Sequence, residues 1–257
     1  MTGTRSWWPA VGDLAFVAIL ALAALVPLQP AYGDAAFWLA AAGGVAVGLA
    51  AAVLGWRLRA GPAEVAGLAV LGYFLFGGLF ALRSTALGGV LPAPRTLLDL
   101  ALGGVQAWKQ LLTVSPPVDG FDQLLVVPCL AGPVVSALAA SFALRLRRWV
   151  WTLLPPALLL VFSIAFGTYQ GLYPALVGGG SATIALGWSA WRRERARAAS
   201  AHADLVGVPG AGSGARRLAW AVGLALVAGV AGTAVAGPLG TPTGRVVLRD
   251  VLVPPLE

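Results

Sequence analysis

The sequence predicts an all-α integral membrane protein with about seven transmembrane helices, and two observations support this fold class. Of the 257 residues, 59% are hydrophobic and only 11% are charged, whereas a soluble domain carries about 25% charged residues. The apolar residues also gather into runs close to the ~20 residues that a helix needs to cross a hydrocarbon core of about 30 Å. A chain of this length therefore has room for one polytopic membrane domain.

Seven apolar runs predict seven spans within a membrane domain that covers residues 1–240. The runs cover residues 10–29, 35–56, 63–82, 123–144, 149–167, 170–190 and 217–237. Gly61 and Pro62 mark the start of the third span, Glu64 falls in its first turn, and Asp34 is placed to cap the second. Asp13 is expected in the interfacial first turn of the first span, with a position facing the bundle as the alternative.

The basic residues predict the orientation of the chain. One side of the membrane would hold twelve arginines, namely Arg5, Arg57, Arg59, Arg145, Arg147, Arg148, Arg192, Arg193, Arg195, Arg197, Arg216 and Arg217. The other side would hold only Arg83, Arg95, Lys109, Arg245 and Arg249. The positive-inside rule makes the first side cytoplasmic, with the N-terminus inside and the C-terminus outside. This distribution explains the net charge of +7 by topology and not by nucleic-acid binding.

The external loop, about residues 83–122, contains an amphipathic helix at residues 97–112. A spacing of 100° per residue groups Leu97, Leu100, Ala101, Val105, Trp108, Leu111 and Leu112 on a broad apolar face. Asp99, Gln106 and Gln110 form a narrow polar face, and Thr96 with Asp99 resembles a capping pair. The helix lies either in the outer interface or as a lid over the bundle. Pro116 and Pro117, which turn the chain back, favour the lid.

Two further segments lie outside the spans. Residues 191–216 begin with an Arg-rich run and continue with Gly, Ser and Pro, which predicts a flexible cytoplasmic linker. Residues 241–257 form an extracytoplasmic tail in which Arg245–Val253 has the β-branched composition of a strand without a partner. We expect this tail to lead to a domain that the sequence does not contain.

Prolines and glycines predict irregular or tightly packed helices. Pro128 and Pro133, Pro155 and Pro156, and the triplet Gly178–Gly180 predict kinks or local unwinding in spans four to six. Gly44 and Gly48 have the four-residue spacing that allows two helices to approach closely.

Chemistry-bearing residues are scarce, so we identify no catalytic, cofactor-binding or metal-binding residue and expect no cofactor. The only thiol, Cys129, lies in span four, and the only imidazole, His202, lies in the predicted linker, so the two cannot form a nucleophilic pair. No His, Cys, Asp or Glu cluster has ligand-like spacing. Hydroxyls that could line a polar path, or simply bond within helices, are Ser136, Ser141, Ser163, Ser181 and Thr183.

Several stretches resemble the N-terminal membrane region of bacterial transglutaminase-like membrane proteins of the TgpA type, particularly the actinobacterial branch. These stretches are Trp108–Pro117 (WKQLLTVSPP), Leu124–Pro128 (LLVVP), Leu144–Trp149 (LRLRRW) with Leu153–Pro156 (LLPP), and Arg245–Pro255 (RVVLRDVLVPP). The resemblance implies a non-catalytic, multi-pass anchor in the bacterial inner membrane that positions an extracytoplasmic transglutaminase-like module. It also implies a MoxR-type ATPase and a von Willebrand-like protein as partners, in addition to the lipid bilayer.

The chain departs from the family pattern because it ends at Glu257, so no catalytic position is carried over. The alternative from another class is a small transporter or channel subunit, which the broken helices of spans four to six favour.

Overall fold

The computed structural model describes residues 8–33, 35–86, 92–113, 122–146, 150–167 and 174–203. Every regular element within these ranges is helical. The helices are α1 (Trp8–Leu25), α2 (Gln29–Tyr32), α3 (Ala36–Arg57), α4 (Pro62–Phe80), α5 (Pro94–Thr113), α6 (Val126–Arg145), α7 (Val150–Phe166) and α8 (Pro174–Ala203). Helices α1 to α7 belong to one compact unit and α8 to a second, which is therefore described by itself.

Four helical segments of the described residues are long and apolar enough to cross a membrane. They are Ala10–Tyr32, Ala36–Arg57, Pro62–Phe80 and Val126–Arg145, and they coincide with the first four predicted spans. The fifth, α7, is apolar but has only 17 residues. The chain is thus all-helical where described and has the character of a membrane protein. The number seven stays a prediction, because neither α7 nor α8, the fifth and sixth predicted spans, is among these four segments, and 217–237 lies outside the described residues.

The first span is not one regular α-helix. A 3₁₀ turn at Val26–Leu28 separates α1 from α2. Pro27 and Pro30 supply no backbone N–H, which removes two bonds from the α-helical ladder at this point. Gly33 then ends α2 with a φ of 70°, a left-handed conformation that glycine adopts without steric cost. The sequence predicts irregular helices in spans four to six, whereas this irregularity lies in the first.

Helices α3 and α6 run parallel and cross at very short range. A Cβ built on Gly44 would lie 2.7 Å from the backbone oxygen of Cys129, and one on Gly48 would collide with the Ser136 hydroxyl. Gly132 faces the backbone of Gly44 in return. The predicted close approach at Gly44 and Gly48 is therefore confirmed, and α6 is the partner.

Helix α5 packs against α4 and α6 and buries only part of the apolar face predicted for it. Thr96, Leu100 and Ala107 are fully buried, whereas Leu98 and Val105 are 60% and 75% exposed. The face of α5 that packs against α6 carries small residues, since Gly103 lies against Val126 and Gly104 against Leu130. Of the predicted apolar face, Leu100 is buried, Leu97, Ala101 and Val105 are exposed, and the side chains of Trp108, Leu111 and Leu112 are outside the described part of the chain. Helix α5 therefore both covers the bundle and presents a second apolar arc outward.

The start of α5 also differs from the prediction. The helix begins at Pro94, a residue whose fixed φ suits the first helical position. Thr96 lies inside the first turn and its hydroxyl donates to the backbone oxygen of Thr85 at 2.7 Å. Thr96 and Asp99 thus do not form a capping pair, and Thr96 instead fixes the preceding turn.

Helix α8 corrects two predictions. It remains α-helical through Gly178–Gly180, so the expected unwinding is absent there, and it continues to Ala203, so residues 191–203 of the predicted linker are helical. Two i,i+4 contacts support the extension: the guanidinium of Arg192 lies 5.1 Å from the Trp188 ring, and that of Arg195 lies 4.3 Å from the Trp191 ring. Alanine and arginine are also strong helix formers. Residues 204–216 lie outside the described residues.

The remaining acidic and tail predictions have mixed outcomes. Asp13 is only 8% exposed, so it faces the bundle, as the alternative proposed. Glu64 accepts a bond from the Gly61 backbone N–H at 2.7 Å, which confirms its place in the first turn of α4. Asp34 and the strand predicted at Arg245–Val253 fall outside the described residues.

Candidate functional site

An apolar groove of about 370 Å³ lies between α4 and α6 and is here called the α4–α6 groove. Because α4 and α6 run in opposite directions, Pro62 and Arg145 lie at one end and Tyr73 and Leu130 at the other. The walls between these ends carry small or aliphatic side chains, among them Ala66, Val70, Val134, Leu138 and the polar Ser141. Three of these wall residues, Val70, Val134 and Leu138, are about half exposed, so the groove opens on the outer surface of the unit.

The α4–α6 groove begins at a basic patch, here called the arginine end, which comprises the turn 57–61 and the C-terminus of α6. Arg57, Arg59 and Arg145 are all exposed there. Arg145 Nη1 donates to the backbone oxygen of Ala60 at 2.7 Å, which joins α6 to the α3–α4 turn. The acid described at this end, Glu64, is exposed and bonded to the backbone N–H of Gly61. The three arginines give the arginine end a basic character.

Arg59 occupies an uncommon backbone conformation. Its φ is 57°, the one positive φ among the described non-glycine residues. A left-handed conformation costs an L-residue about 1–2 kcal/mol, a cost that glycine avoids. The turn is held by Arg59 N–H to Trp56 O and by Ala60 N–H to Gly55 O at 2.8 Å. An arginine thus stands where helix C-termini usually place glycine.

The opposite end of the groove is closed by a buried tyrosine. Tyr73 is 5% exposed, and its hydroxyl donates to the backbone oxygen of Leu100 in α5 at 3.0 Å. A second buried tyrosine, Tyr32, donates to the backbone oxygen of Leu124 at 3.1 Å, just before α6. Both phenols therefore use their polar group to fix a neighbouring segment, as buried tyrosines usually do.

Two of the hydroxyls considered for a polar path bond to backbone carbonyls. Ser136 is fully buried, and its Oγ bonds to Val45 O of α3 at 3.0 Å and to Gly132 O at 2.7 Å. Thr183 bonds within α8 to Gly179 O at 2.8 Å. Ser141 lines the α4–α6 groove, while Ser181 belongs to the second unit. Ser136 and Thr183 thus hold helical structure, the simpler of the two interpretations.

Helix α7 carries two buried hydroxyls that sequence analysis partly missed. Thr152 and Ser163 are fully buried, and neither hydroxyl has a hydrogen-bond partner among the described residues. Eleven positions at 100° per residue place them on nearly the same face of α7. Ser163 was considered from its sequence position, but Thr152 had no distinguishing signal because it sits in a helix start between aromatic and apolar residues.

The two residues considered for nucleophilic chemistry belong to different units, and each is described by itself. Cys129 is 2% exposed within α6, where its backbone packs against Gly44. His202 belongs to α8 in the other unit. Within the described ranges, no group of three His, Cys, Asp or Glu side chains could hold a metal ion.

Comparison with known proteins adds no assignment: no protein-family model, curated protein or solved structure matches this chain.

Proposed function

We propose that this chain is a non-catalytic membrane platform that anchors and positions an extracytoplasmic transglutaminase-like module in the bacterial inner membrane. The observation that carries the proposal is the crossing of α3 and α6, where Gly44 and Gly48 bring two apolar helices into backbone contact. Ser136 adds a hydrogen bond across the same crossing. A platform needs such a rigid frame, and close packing of small residues with interhelical hydrogen bonds produces one in lipid.

The proposal also rests on the sequence stretches that resemble the membrane region of TgpA-type proteins. In that family the membrane region precedes the catalytic module, so the role of this chain is to hold and not to react. A MoxR-type ATPase and a von Willebrand-like protein are the partners proposed for the cytoplasmic side. The arginine end is the described surface that would face them under the positive-inside rule.

Two measurements test the platform role. The coding sequence beyond residue 257 is expected to continue in frame into a Cys, His and Asp constellation. Two reporters are fused separately after Glu257. A phosphatase that works only outside the cytoplasm is expected to be active, and a fluorescent protein that works only in the cytoplasm is expected to be dark. A stop codon followed by transporter genes, or a reporter active only in the cytoplasm, would contradict the proposal.

A transporter or channel subunit is the second candidate, favoured by the unpartnered hydroxyls of Thr152 and Ser163. The end of α7 also packs on the 3₁₀ turn, since a Cβ on Gly167 would lie 2.6 Å from Pro27 O. Irregular backbone beside free polar groups is typical of transport sites within membranes. Solute uptake into proteoliposomes is the test. Uptake by the wild type that is lost in folded Thr152→Val and Ser163→Ala variants would favour this candidate over the platform.

A further inference from the structure

We propose that the α4–α6 groove binds one acyl chain of an anionic bilayer phospholipid, whose phosphate is held at the arginine end. This binding site does not depend on the platform role, because it is argued only from the groove, its length and its charged end.

The position and lining of the groove favour an acyl chain. It opens between two helices that are long and apolar enough to span a membrane, so its mouth faces the hydrocarbon of a bilayer. The exposed wall residues Val70, Val134 and Leu138 are aliphatic. An open apolar cavity of about 370 Å³ in this position is in contact with lipid chains wherever the protein is inserted.

The length of the groove matches one leaflet. Pro62 and Tyr73 mark its two ends on α4, and eleven residues at 1.5 Å per residue span about 17 Å. Half of a hydrocarbon core of about 30 Å is about 15 Å. The buried Tyr73, bonded to Leu100 O of α5, closes the groove at this depth. A chain that enters from the arginine end therefore stops near the middle of the bilayer.

The charge at the open end selects the headgroup. Arg145 lines the groove itself, and its bond to Ala60 O uses Nη1, one part of a guanidinium that carries five N–H donors. Arg57 and Arg59 are exposed in the adjoining turn. The Glu64 carboxylate in the first turn of α4 is already bonded to Gly61 N–H. A phosphate with an uncharged or anionic remainder fits this patch better than a zwitterionic choline headgroup.

Native mass spectrometry of the full chain in detergent tests the site. Phosphatidylglycerol and phosphatidylcholine with identical acyl chains are titrated separately, and the adduct on the folded monomer is quantified. We expect phosphatidylglycerol to bind at least fivefold more tightly, because its headgroup carries a net negative charge, whereas the choline cation cancels that of phosphatidylcholine, and one arginine near an anionic headgroup contributes about 1 kcal/mol. Arg145→Gln is expected to reduce this preference about fivefold, whereas Arg95→Gln, on α5 and outside the groove, is expected to leave it unchanged.

The apolar part of the site is tested from both walls. Ala66→Phe and Val134→Phe place a ring in the groove from exposed positions of α4 and α6, so binding of both lipids should fall about tenfold. Ala157→Phe is the matched control, since Ala157 is exposed on α7 and does not line the groove. Thermal unfolding in the same detergent reports whether each variant is folded.

Several results would overturn the proposal. One is equal affinity of the wild type for the two lipids. Another is a folded Ala66→Phe or Val134→Phe variant that binds lipid as tightly as the wild type does. If both variants fail to fold, the comparison of Arg145→Gln with Arg95→Gln decides. A dimer that Ala66→Phe dissociates would assign the groove to a second copy. An experimental structure with another segment of this chain in the groove would overturn it as well.

Discussion

Gly48 of α3 lies directly beneath the hydroxyl of Ser136 in α6, so that a Cβ on Gly48 would collide with the Ser136 Oγ and lie 2.7 Å from the Pro133 Cα. The same hydroxyl bonds across the interface to Val45 O at 3.0 Å. The missing side chain of Gly48 therefore leaves the space that the Ser136 hydroxyl occupies when it bonds to α3. The first two predictions follow from this contact.

Gly48→Ala is expected to destabilise the protein by about 1–3 kcal/mol, because two backbones must separate to accommodate the added methyl group. The free energy of unfolding is measured by titrating a denaturing detergent into mixed micelles. Gly67→Ala on α4 is the control, since a Cβ there meets nothing within 4 Å and should leave stability unchanged or slightly increased. A Gly48→Ala protein as stable as the wild type would show that α3 and α6 do not cross here.

Ser136→Ala is expected to cost about 0.6 kcal/mol, the average for a hydrogen bond between membrane helices. The loss should appear in the same unfolding titration. Ser189→Ala is the matched control: Ser189 is also buried, but its hydroxyl bonds to Ala185 O in its own helix. Equal losses for the two variants would argue against a specific contribution from the interhelical bond.

Tyr73→Phe is expected to loosen α5 without unfolding the bundle, because it removes the hydroxyl that donates to Leu100 O. A buried bond worth about 1 kcal/mol corresponds to about fivefold faster hydrogen exchange in α5. Tyr32→Phe removes a bond to Leu124 O instead. Its effect should appear around residues 122–126, so reversal of the two exchange patterns would contradict the assigned contacts.

Cysteine labelling is expected to place the two ends of the bundle on opposite sides of the membrane. Arg59→Cys should react with an impermeant maleimide only in inside-out vesicles, and Arg95→Cys only in intact spheroplasts, as the positive-inside rule requires. Both positions are exposed. The wild type serves as the control, because its Cys129 is 2% exposed and should stay unlabelled. Labelling of both variants from one side would exclude the predicted topology.

Apolar runs and glycine spacing predicted much of the fold because they report local properties of the chain. The first four spans coincide with membrane-length helices, and the pair Gly44 and Gly48 indicated a close crossing. The partner could not be inferred, since α6 is distant in the sequence and many glycines offer the same spacing. The buried face of α5 was predicted only in part, since Leu100 is buried as expected. Gly103 and Gly104 also contact α6 because they are small, whereas the prediction ranked residues by hydropathy.

Other features depend on competition between local and tertiary effects. Residues 191–203 have enough arginine to suggest a solvated linker, yet the contacts of Arg192 with Trp188 and Arg195 with Trp191 support a helix. The α4–α6 groove has no signature in the sequence, because its walls come from two helices and its residues resemble any lipid-facing surface. The arginines at its end were recognised, but as topology signals only.

The parallel contact between α3 and α6 also bears on how the chain is made. Val45 and Ser136, which bond across it, are 91 positions apart in the sequence, so α3 and α4 leave the ribosome well before α6 exists. At translation rates of about 5–20 residues per second, the surface of α3 at Gly44 and Gly48 remains without its partner α6 for several seconds. During that interval the surface is covered by lipid or by the insertion machinery, and the arrival of α6 completes the assembly.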